Sequence, residues 1–220
     1  MIFENGDRIV FAGDSVTDMG STNPVGEGLR EALGQGYVRR IENLLSAVYP
    51  EVMTRVTNSG ISGNTSRSLL ARWQRDVVDL HPQWVSIMIG VNDVWRQFDT
   101  PQIGENAVLP DEYERNLIAM IESVKDNVKG IFLITPYYME PLKADPMRAR
   151  LDEYGAICKK LAQQYGCILV DVQSAFDSYF RYRHSSYIAW DRVHPNQIGA
   201  TIIAREFLRK CSFDFDHVPE

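Results

Sequence analysis

Three residues near the two ends of the chain have the chemistry of an acyl-transfer site. A short apolar run leads into the tripeptide Gly13-Asp14-Ser15, and close to the other end Asp191 precedes His194 by three residues. A serine oxygen is a weak nucleophile at neutral pH unless an imidazole accepts its proton, and a carboxylate orients that imidazole and stabilises its charged form. We therefore interpret Ser15 as a nucleophile, His194 as its base and Asp191 as the orienting acid.

Two turns contain the donors that such a site also needs. They are the segment 58–64 (NSGISGN) and the segment 90–93 (GVND). The negative oxygen of a tetrahedral intermediate is stabilised by main-chain N–H groups and side-chain amides. We expect the donors to be the N–H groups of Ser15 and Gly63 and the side-chain amide of Asn92, although asparagine also suits a strand-end turn for conformational reasons alone.

The order of these segments resembles that of the SGNH (GDSL) hydrolase family. The four blocks of that family centre on Ser, Gly, Asn and His, and the matching residues here are Ser15, Gly63, Asn92 and His194. The resemblance implies a Ser15–His194–Asp191 triad and an oxyanion hole formed by Ser15, Gly63 and Asn92. The G-x-S-x-G motif of the common α/β-hydrolases is absent from the sequence around Ser15, which favours the SGNH architecture.

Longer segments are similar to the intracellular acetylxylan esterases of the SGNH group. They are GDSVTD, NSGISGNTSR, SIMIGVNDVWRQ, DEYERNL, TPYYME, DPMRARLDEYG and AWDRVHPN, and together they extend over nearly the whole chain. This resemblance implies a cytoplasmic serine esterase that removes acetyl groups from xylo-oligosaccharides, works as a homo-oligomer and uses no metal or other cofactor. Spacing and composition by themselves do not specify xylose.

The elements that must position these residues are predicted from hydrophobic patterning. Apolar, β-branched runs alternate with amphipathic stretches, which indicates βαβ units and a parallel sheet covered by helices. We predict a three-layer, flavodoxin-like α/β fold with five parallel strands at residues 8–12, 53–58, 84–90, 131–135 and 168–172. The predicted helices are residues 37–49, 66–80, 111–128 and 147–165, and a fifth that begins around Pro195. Ligands of such sheets bind at the carboxyl ends of the strands, where this assignment places Ser15, the turn at 60–63 and Asn92.

Composition limits the classes of function. A length of 220 residues favours a single domain over 1–220, and a net charge of −6 argues against nucleic-acid partners. No apolar run has the length of a membrane span, and the acidic and basic residues near the N-terminus do not fit a secretory signal. We expect a cytoplasmic protein. The three cysteines, Cys158, Cys167 and Cys211, lack metal-ligand spacing and are interpreted as structural, on a helix and a buried strand for the first two.

Several residues beside these blocks have more than one interpretation. Asp14 and Asp18 lie next to the nucleophile, and turn or cap hydrogen bonding is favoured for both. Trp95 and Trp190 flank the blocks of Asn92 and Asp191, and each is a candidate for stacking on a sugar, for a subunit contact or for ordinary core packing. An aromatic cluster before Asp191 predicts a subunit contact near the active site; its members are Tyr179, Phe180, Tyr182, Tyr187 and Trp190.

Four alternatives to a serine-type sugar deacetylase remain open at this point. The first is a general short-chain esterase, and the second is a thioesterase or lysophospholipase. Both share the same catalytic blocks, but the second needs a long apolar groove for its acyl chain. A metal-dependent deacetylase would use Asp14, Asp191 and His194 as ligands, whereas catalytic zinc usually has more imidazole ligands. A catalytically silent carbohydrate-binding domain is the remaining alternative.

Overall fold

Six strands form one sheet within the residues that the computed structural model describes, which are 1–28 and 31–219. In chain order the strands are β1 (Arg8–Gly13), β2 (Gly26–Glu27), β3 (Arg55–Gly60), β4 (Trp84–Met88), β5 (Gly130–Ile134) and β6 (Ile168–Val170). Their spatial order is β2-β3-β1-β4-β5-β6, and all neighbours are parallel except β2 and β3. Without β2, this is the order 2-1-3-4-5 of a flavodoxin-like sheet.

The five predicted strands are therefore confirmed, and the sixth was missed. β2 contains two residues and pairs antiparallel with β3 through Gly26 and Asn58. A strand this short has neither an apolar run nor an alternating pattern, so local sequence contains no signal for it.

The helices found among the described residues are α1 (Ser15–Asp18), α2 (Tyr37–Val48), α3 (Ser66–Asp76), α4 (Val91–Asp99), α5 (Pro110–Val124), α6 (Pro146–Tyr165), α7 (Val172–Tyr179) and α8 (Gln197–Lys210). They pack in two groups, with α2 and α7 against α8, and with α5 against α3 and α6. The sheet lies between these groups, which gives the predicted three layers. No helix in the described part of the chain is long and apolar enough to span a bilayer.

Three helix predictions need correction. The helix predicted for 66–80 ends at Asp76, and a separate 3-10 turn covers Val78–Leu80. α5 ends at Val124 rather than at residue 128. α8 begins at Gln197 because the side chain of Asn196 caps it, accepting hydrogen bonds from the N–H groups of Ile198 and Gly199.

β1 is the centre of the fold. Ile9, Val10, Phe11 and Ala12 are completely buried, as expected for a strand with neighbours on both edges and helices on both faces. The ring of Phe11 lies 5.9 Å from that of Tyr37 on α2 and 5.1 Å from that of Phe207 on α8. The apolar packing of β1 therefore fixes the position of its carboxyl end, which lies two residues before Ser15.

Two glycines bring α1 onto the ends of the strands. A Cβ atom on Gly13 would lie 2.3 Å from Thr17 Oγ1 and 2.5 Å from the carbonyl oxygen of Met88. A Cβ atom on Gly60 would lie 2.3 Å from the main-chain nitrogen of Asp18. Because no side chain fits in either gap, α1 rests directly against the carboxyl ends of β1 and β3.

We predict that Gly60→Ala destabilises the protein, since its methyl group would meet backbone atoms that cannot rotate away. The expected loss in free energy of unfolding is about 1–3 kcal/mol. Gly155→Ala is the matched control, because a Cβ atom at that helical position has no neighbour within 4 Å, and we expect a gain of about 0.5–1 kcal/mol from helix propensity. Urea denaturation of both variants measures the difference, and equal stabilities would contradict the proposed close packing.

Candidate active site

Ser15 is the first residue of α1, directly after β1. Asp14 caps this helix, and its Oδ1 accepts a hydrogen bond of 3.0 Å from the main-chain nitrogen of Val16. Asp18 accepts hydrogen bonds from the main chain and the hydroxyl of Ser21. Both carboxylates thus have the turn and cap contacts that the sequence favoured.

The buried position of Asp14 changes its acidity. Burial raises the pKa of Asp14 to about 7, the Val16 N–H opposes this rise, and the negative charge of Asp93 adds to it. Asp14 directly precedes Ser15, but its carboxyl group contacts the main-chain nitrogen of Val16 rather than the imidazole of His194.

Ser15, His194 and Asp191 form a continuous hydrogen-bonded relay. The Oγ atom of Ser15 lies 2.7 Å from Nε2 of His194, and Nδ1 of His194 lies 2.5 Å from Oδ2 of Asp191. A carboxylate accepts but does not donate, so Nδ1 bears the proton and Nε2 is left as the acceptor for the serine hydroxyl. The three residues that the sequence singled out are therefore brought together in the order that proton transfer from serine requires.

The main chain around Asp191 holds its carboxylate in place. Oδ1 accepts hydrogen bonds from the N–H groups of Val193 at 3.0 Å and His194 at 2.8 Å. Burial by itself would raise the pKa of Asp191, but the hydrogen bonds from the imidazole and from these two N–H groups bring it below its ordinary value. Asp191 is consequently a stable anion behind the imidazole.

The loop of residues 191–194 is attached to the segment that follows β5. The hydroxyl of Tyr137 donates to the carbonyl oxygen of Val193 at 3.0 Å, and the N–H of Met139 donates to that of Arg192 at 2.8 Å. An ion pair of 3.1 Å joins Arg192 to Glu140. Sequence reasoning did not identify these supports, although Tyr137 to Glu140 lie within the TPYYME segment.

The candidate oxyanion donors lie on two adjoining turns. Gly63 has a left-handed backbone with a φ of 81° in the exposed turn after β3. Asn92 is buried, and its Nδ2 donates to the carbonyl oxygen of Asn64 at 3.0 Å. A side-chain amide has two N–H donors, so this bond uses one and fixes the direction of the other. Asn92 lies in the first turn of α4 rather than in the predicted strand-end turn.

Asp93 connects these two turns and was missed by the sequence analysis. Its carboxylate is completely buried and accepts hydrogen bonds from the main-chain nitrogen of Ser66 at 2.9 Å and from its hydroxyl at 2.5 Å. Burial raises the pKa of Asp93 to about 7, while the bonds from Ser66 oppose this rise. Because Ser66 begins α3 and Asp93 lies in the first turn of α4, the contact couples the starts of the two helices that follow Gly63 and Gly90.

The two candidate tryptophans have different surroundings. The ring of Trp95 is partly buried, and its centroid lies 6.0 Å from that of His194. Trp190 is 88% exposed, so the interpretation of this residue as core packing is wrong. Trp95 therefore provides an apolar surface beside the imidazole, and Trp190 provides one on the outside of the molecule.

All three cysteines are free. Cys158 is buried in α6 and Cys211 is buried at the end of α8. Cys167 is only half-buried and precedes β6 by one residue, so its predicted place in a buried strand is wrong. Within 1–28 and 31–219, no three His, Cys, Asp or Glu side chains are grouped so that they could hold a metal ion.

A parallel α/β sheet with a hydrogen-bonded serine, histidine and aspartate at one edge has the architecture of a serine hydrolase. The GDSL-like Lipase/Acylhydrolase family matches residues 11–202, and the chain belongs to this family. The resemblance derived from the four sequence blocks is thereby confirmed.

Individual proteins and solved structures are also similar to this chain. An acetylxylan esterase of Geobacillus stearothermophilus is 49% identical over 211 residues, which are 96% of each chain. The crystal structure of Axe2, an acetylxylan esterase from that organism, superposes over 100% of both chains with a TM-score of 0.97 and 47% identity. Structures described as catalytic mutants of Axe2 have the substitutions S15A, D191A and H194A. A thioesterase 1/protease 1/lysophospholipase L1 of Escherichia coli is 28% identical over 80% of this chain and 77% of its own length.

We predict that Asn92→Ala lowers kcat for ester hydrolysis by roughly 10²- to 10³-fold and leaves KM nearly unchanged, because an oxyanion donor acts mainly in the transition state. Steady-state kinetics with a nitrophenyl acetate measures both constants. Asn127→Ala, at an exposed position three residues after the end of α5, is the control. A defect confined to KM would instead assign Asn92 to substrate positioning.

Proposed function

We propose that this chain is a serine esterase that removes O-acetyl groups from xylo-oligosaccharides through an acetyl-enzyme intermediate, as a single domain over residues 1–220. The observation that carries the proposal is the relay from Ser15 Oγ through His194 to Asp191, with distances of 2.7 and 2.5 Å. The identity of 49% to an acetylxylan esterase supports the substrate class.

The chemistry follows from the protonation pattern of the relay. Nε2 of His194 accepts the proton of Ser15 as the serine oxygen attacks the acetyl carbonyl, and Asp191 stabilises the resulting imidazolium. The N–H groups of Ser15 and Gly63 and the amide of Asn92 donate hydrogen bonds to the oxyanion. The imidazolium then gives its proton to the departing sugar oxygen, and water attacks the acetyl-enzyme in the same way.

The surroundings of His194 support a sugar substrate. The ring of Trp95, 6.0 Å from that of His194, offers an apolar face against which a pyranose ring can stack. This feature supports an acetylated sugar over a thioester or a lysophospholipid.

We infer a cytoplasmic location from the state of the thiols. Cys158, Cys167 and Cys211 are free cysteines, and burial raises the pKa of the Cys158 thiol to about 12 and that of Cys167 to about 11. Unpaired thiols are typical of proteins in a reducing compartment.

Hydrolysis of a substrate series tests the proposed activity. We expect purified protein to release acetate from acetylated xylo-oligosaccharides and to hydrolyse nitrophenyl acetate faster than the butyrate and octanoate esters. Ser15→Ala should lower kcat by about three or more orders of magnitude, since triad deletions commonly do so. Ser178→Ala, at an exposed position of α7, is the control, and a serine-directed phosphonate should label Ser15.

Other outcomes of this series would contradict the proposal. Preference for octanoate would favour the thioesterase or lysophospholipase alternative. Equal rates on all acyl esters, without release of acetate from the sugar, would indicate a general esterase. Sugar binding without hydrolysis would indicate a carbohydrate-binding domain.

We further infer a homo-oligomer whose contact includes the exposed part of the aromatic cluster. Tyr182, Tyr187 and Trp190 are 87%, 57% and 88% exposed, whereas Tyr179 and Phe180 are half-buried and pack against the core. Large aromatic side chains are enriched in interfaces between proteins. Because Trp190 precedes Asp191, a contact there would narrow the approach to the active site and favour oligosaccharides over polymer.

Light scattering tests this assembly. We expect the wild-type protein to be an oligomer and Trp190→Ala to lower its mass, because the substitution removes the most exposed ring from the contact. Leu109→Ala, which shortens another exposed apolar side chain, should leave the mass unchanged. A monomeric wild type would refute the inference, and an unchanged mass of Trp190→Ala would place the interface elsewhere.

A further inference from the structure

Arg72 is a cation in α3 that contacts the segments around the candidate active site. It has no role in the proposed chemistry. Its side chain is 9% exposed. A buried guanidinium normally needs a partner for each of its N–H groups, since an unpaired charge in the interior is costly. The identity of those partners shows what this residue holds together.

The contacts of Arg72 use its whole set of donors. Nε donates to Asn64 Oδ1 at 2.7 Å, and Nη1 donates to Ser59 Oγ at 3.0 Å and to Asp76 Oδ2 at 3.2 Å. Nη2 donates to the carbonyl oxygens of Gly13 at 3.1 Å and Ser59 at 2.8 Å. A guanidinium has five N–H donors in one plane, and each has an acceptor here.

Two of these acceptors belong to the turns that present the candidate catalytic groups. Gly13 ends β1 two residues before Ser15, and its carbonyl oxygen also accepts a hydrogen bond of 3.1 Å from the N–H of Ile61. Asn64 follows Gly63, and its carbonyl oxygen accepts the bond of 3.0 Å from Nδ2 of Asn92. The guanidinium therefore bonds directly to the end of β1 before Ser15 and to the turn that contains Gly63 and Asn64, and it is linked to Asn92 through Asn64.

The charge of Arg72 is matched locally. Asp76, which is 1% exposed, forms one ion pair with Arg72 at 3.2 Å and another with Arg75 at 2.5 Å. Arg75 is 68% exposed, and its guanidinium bonds to Asp76. Arg72 and Arg75 thus share a carboxylate, but only Arg72 also bonds to Gly13 and Asn64.

We propose that Arg72 is a positioning residue that fixes the distance between the turn of Ser15 and the turns that hold the oxyanion donors Gly63 and Asn92. The inference rests on the proposed esterase function. Oxyanion donors are effective only when they are held in place before the reaction, and small misplacements of catalytic groups are costly in rate. A lysine at this position has three donors on a flexible stem and cannot reproduce the planar set of contacts.

Arg72→Lys, Arg72→Ala and the control Arg75→Ala separate a positioning role from a merely structural one. We expect kcat for nitrophenyl acetate to fall about 10²-fold in Arg72→Lys with little change in KM, as for loss of an interaction made in the transition state. A boronic acid that forms a tetrahedral adduct with serine should bind correspondingly more weakly. Arg75→Ala should keep the wild-type kcat and boronic acid affinity. Added guanidinium, below denaturing concentration, should partly restore kcat in Arg72→Ala and leave Arg75→Ala unchanged.

The kinetics of Arg72→Lys decide whether Arg72 is a positioning residue. A kcat in Arg72→Lys no lower than in Arg75→Ala, or a defect confined to KM, overturns the positioning role. Circular dichroism and thermal melting check that the variants are folded, and if Arg72→Ala is not folded, Arg72→Lys decides the question. Failure of the proposed function is distinct, because then the wild-type protein does not release acetate or Ser15→Ala retains activity.

Discussion

The hydrogen bond between Ser15 and His194 joins residues that are 179 positions apart in the chain, and it is only 2.7 Å long. Proton transfer needs this contact within a few tenths of an ångström, so both ends must be attached to rigid parts of the fold. Ser15 lies two residues after the end of the buried central strand β1. His194 precedes α8, which packs on the same apolar face through Phe207 and Phe11. The core thereby fixes the geometry of the polar contact at its edge.

Buried polar groups extend this rigidity from the core to the turns. Asp14, Asp93 and Arg72 are each enclosed, and each is satisfied by main-chain or side-chain partners of the turns that surround the site. An enclosed polar group is costly without partners, and a fully bonded network specifies one arrangement of the backbone. Raised pKa values of about 7 for Asp14 and Asp93 show how strongly burial acts at this edge of the sheet. The turns are thus held by groups that do not take part in the proposed chemistry.

The parts of the fold that the sequence did not reveal share a physical cause. β2 has two residues and exists only because β3 provides an edge beside it. The sequence predicts a turn at Gly90 to Asp93, where a strand end meets a glycine, whereas the structure begins α4 there and packs it against α6. α7 was not predicted, and its Phe176 is buried against Tyr137. In each case contacts that are distant in sequence outweigh the local pattern.

The sequence by itself determined the five parallel strands, the main helices that cover them and the candidate triad Ser15, Asp191 and His194, because hydrophobic periodicity and motif spacing are local properties of the chain. Tertiary structure decided whether those residues meet, and it brought them to 2.7 and 2.5 Å. It also decided the exposure of Trp190 and the bridging contacts of Asp93 and Arg72. Such facts depend on which segments the sheet places side by side, and neither the spacing nor the composition of a single segment contains that information.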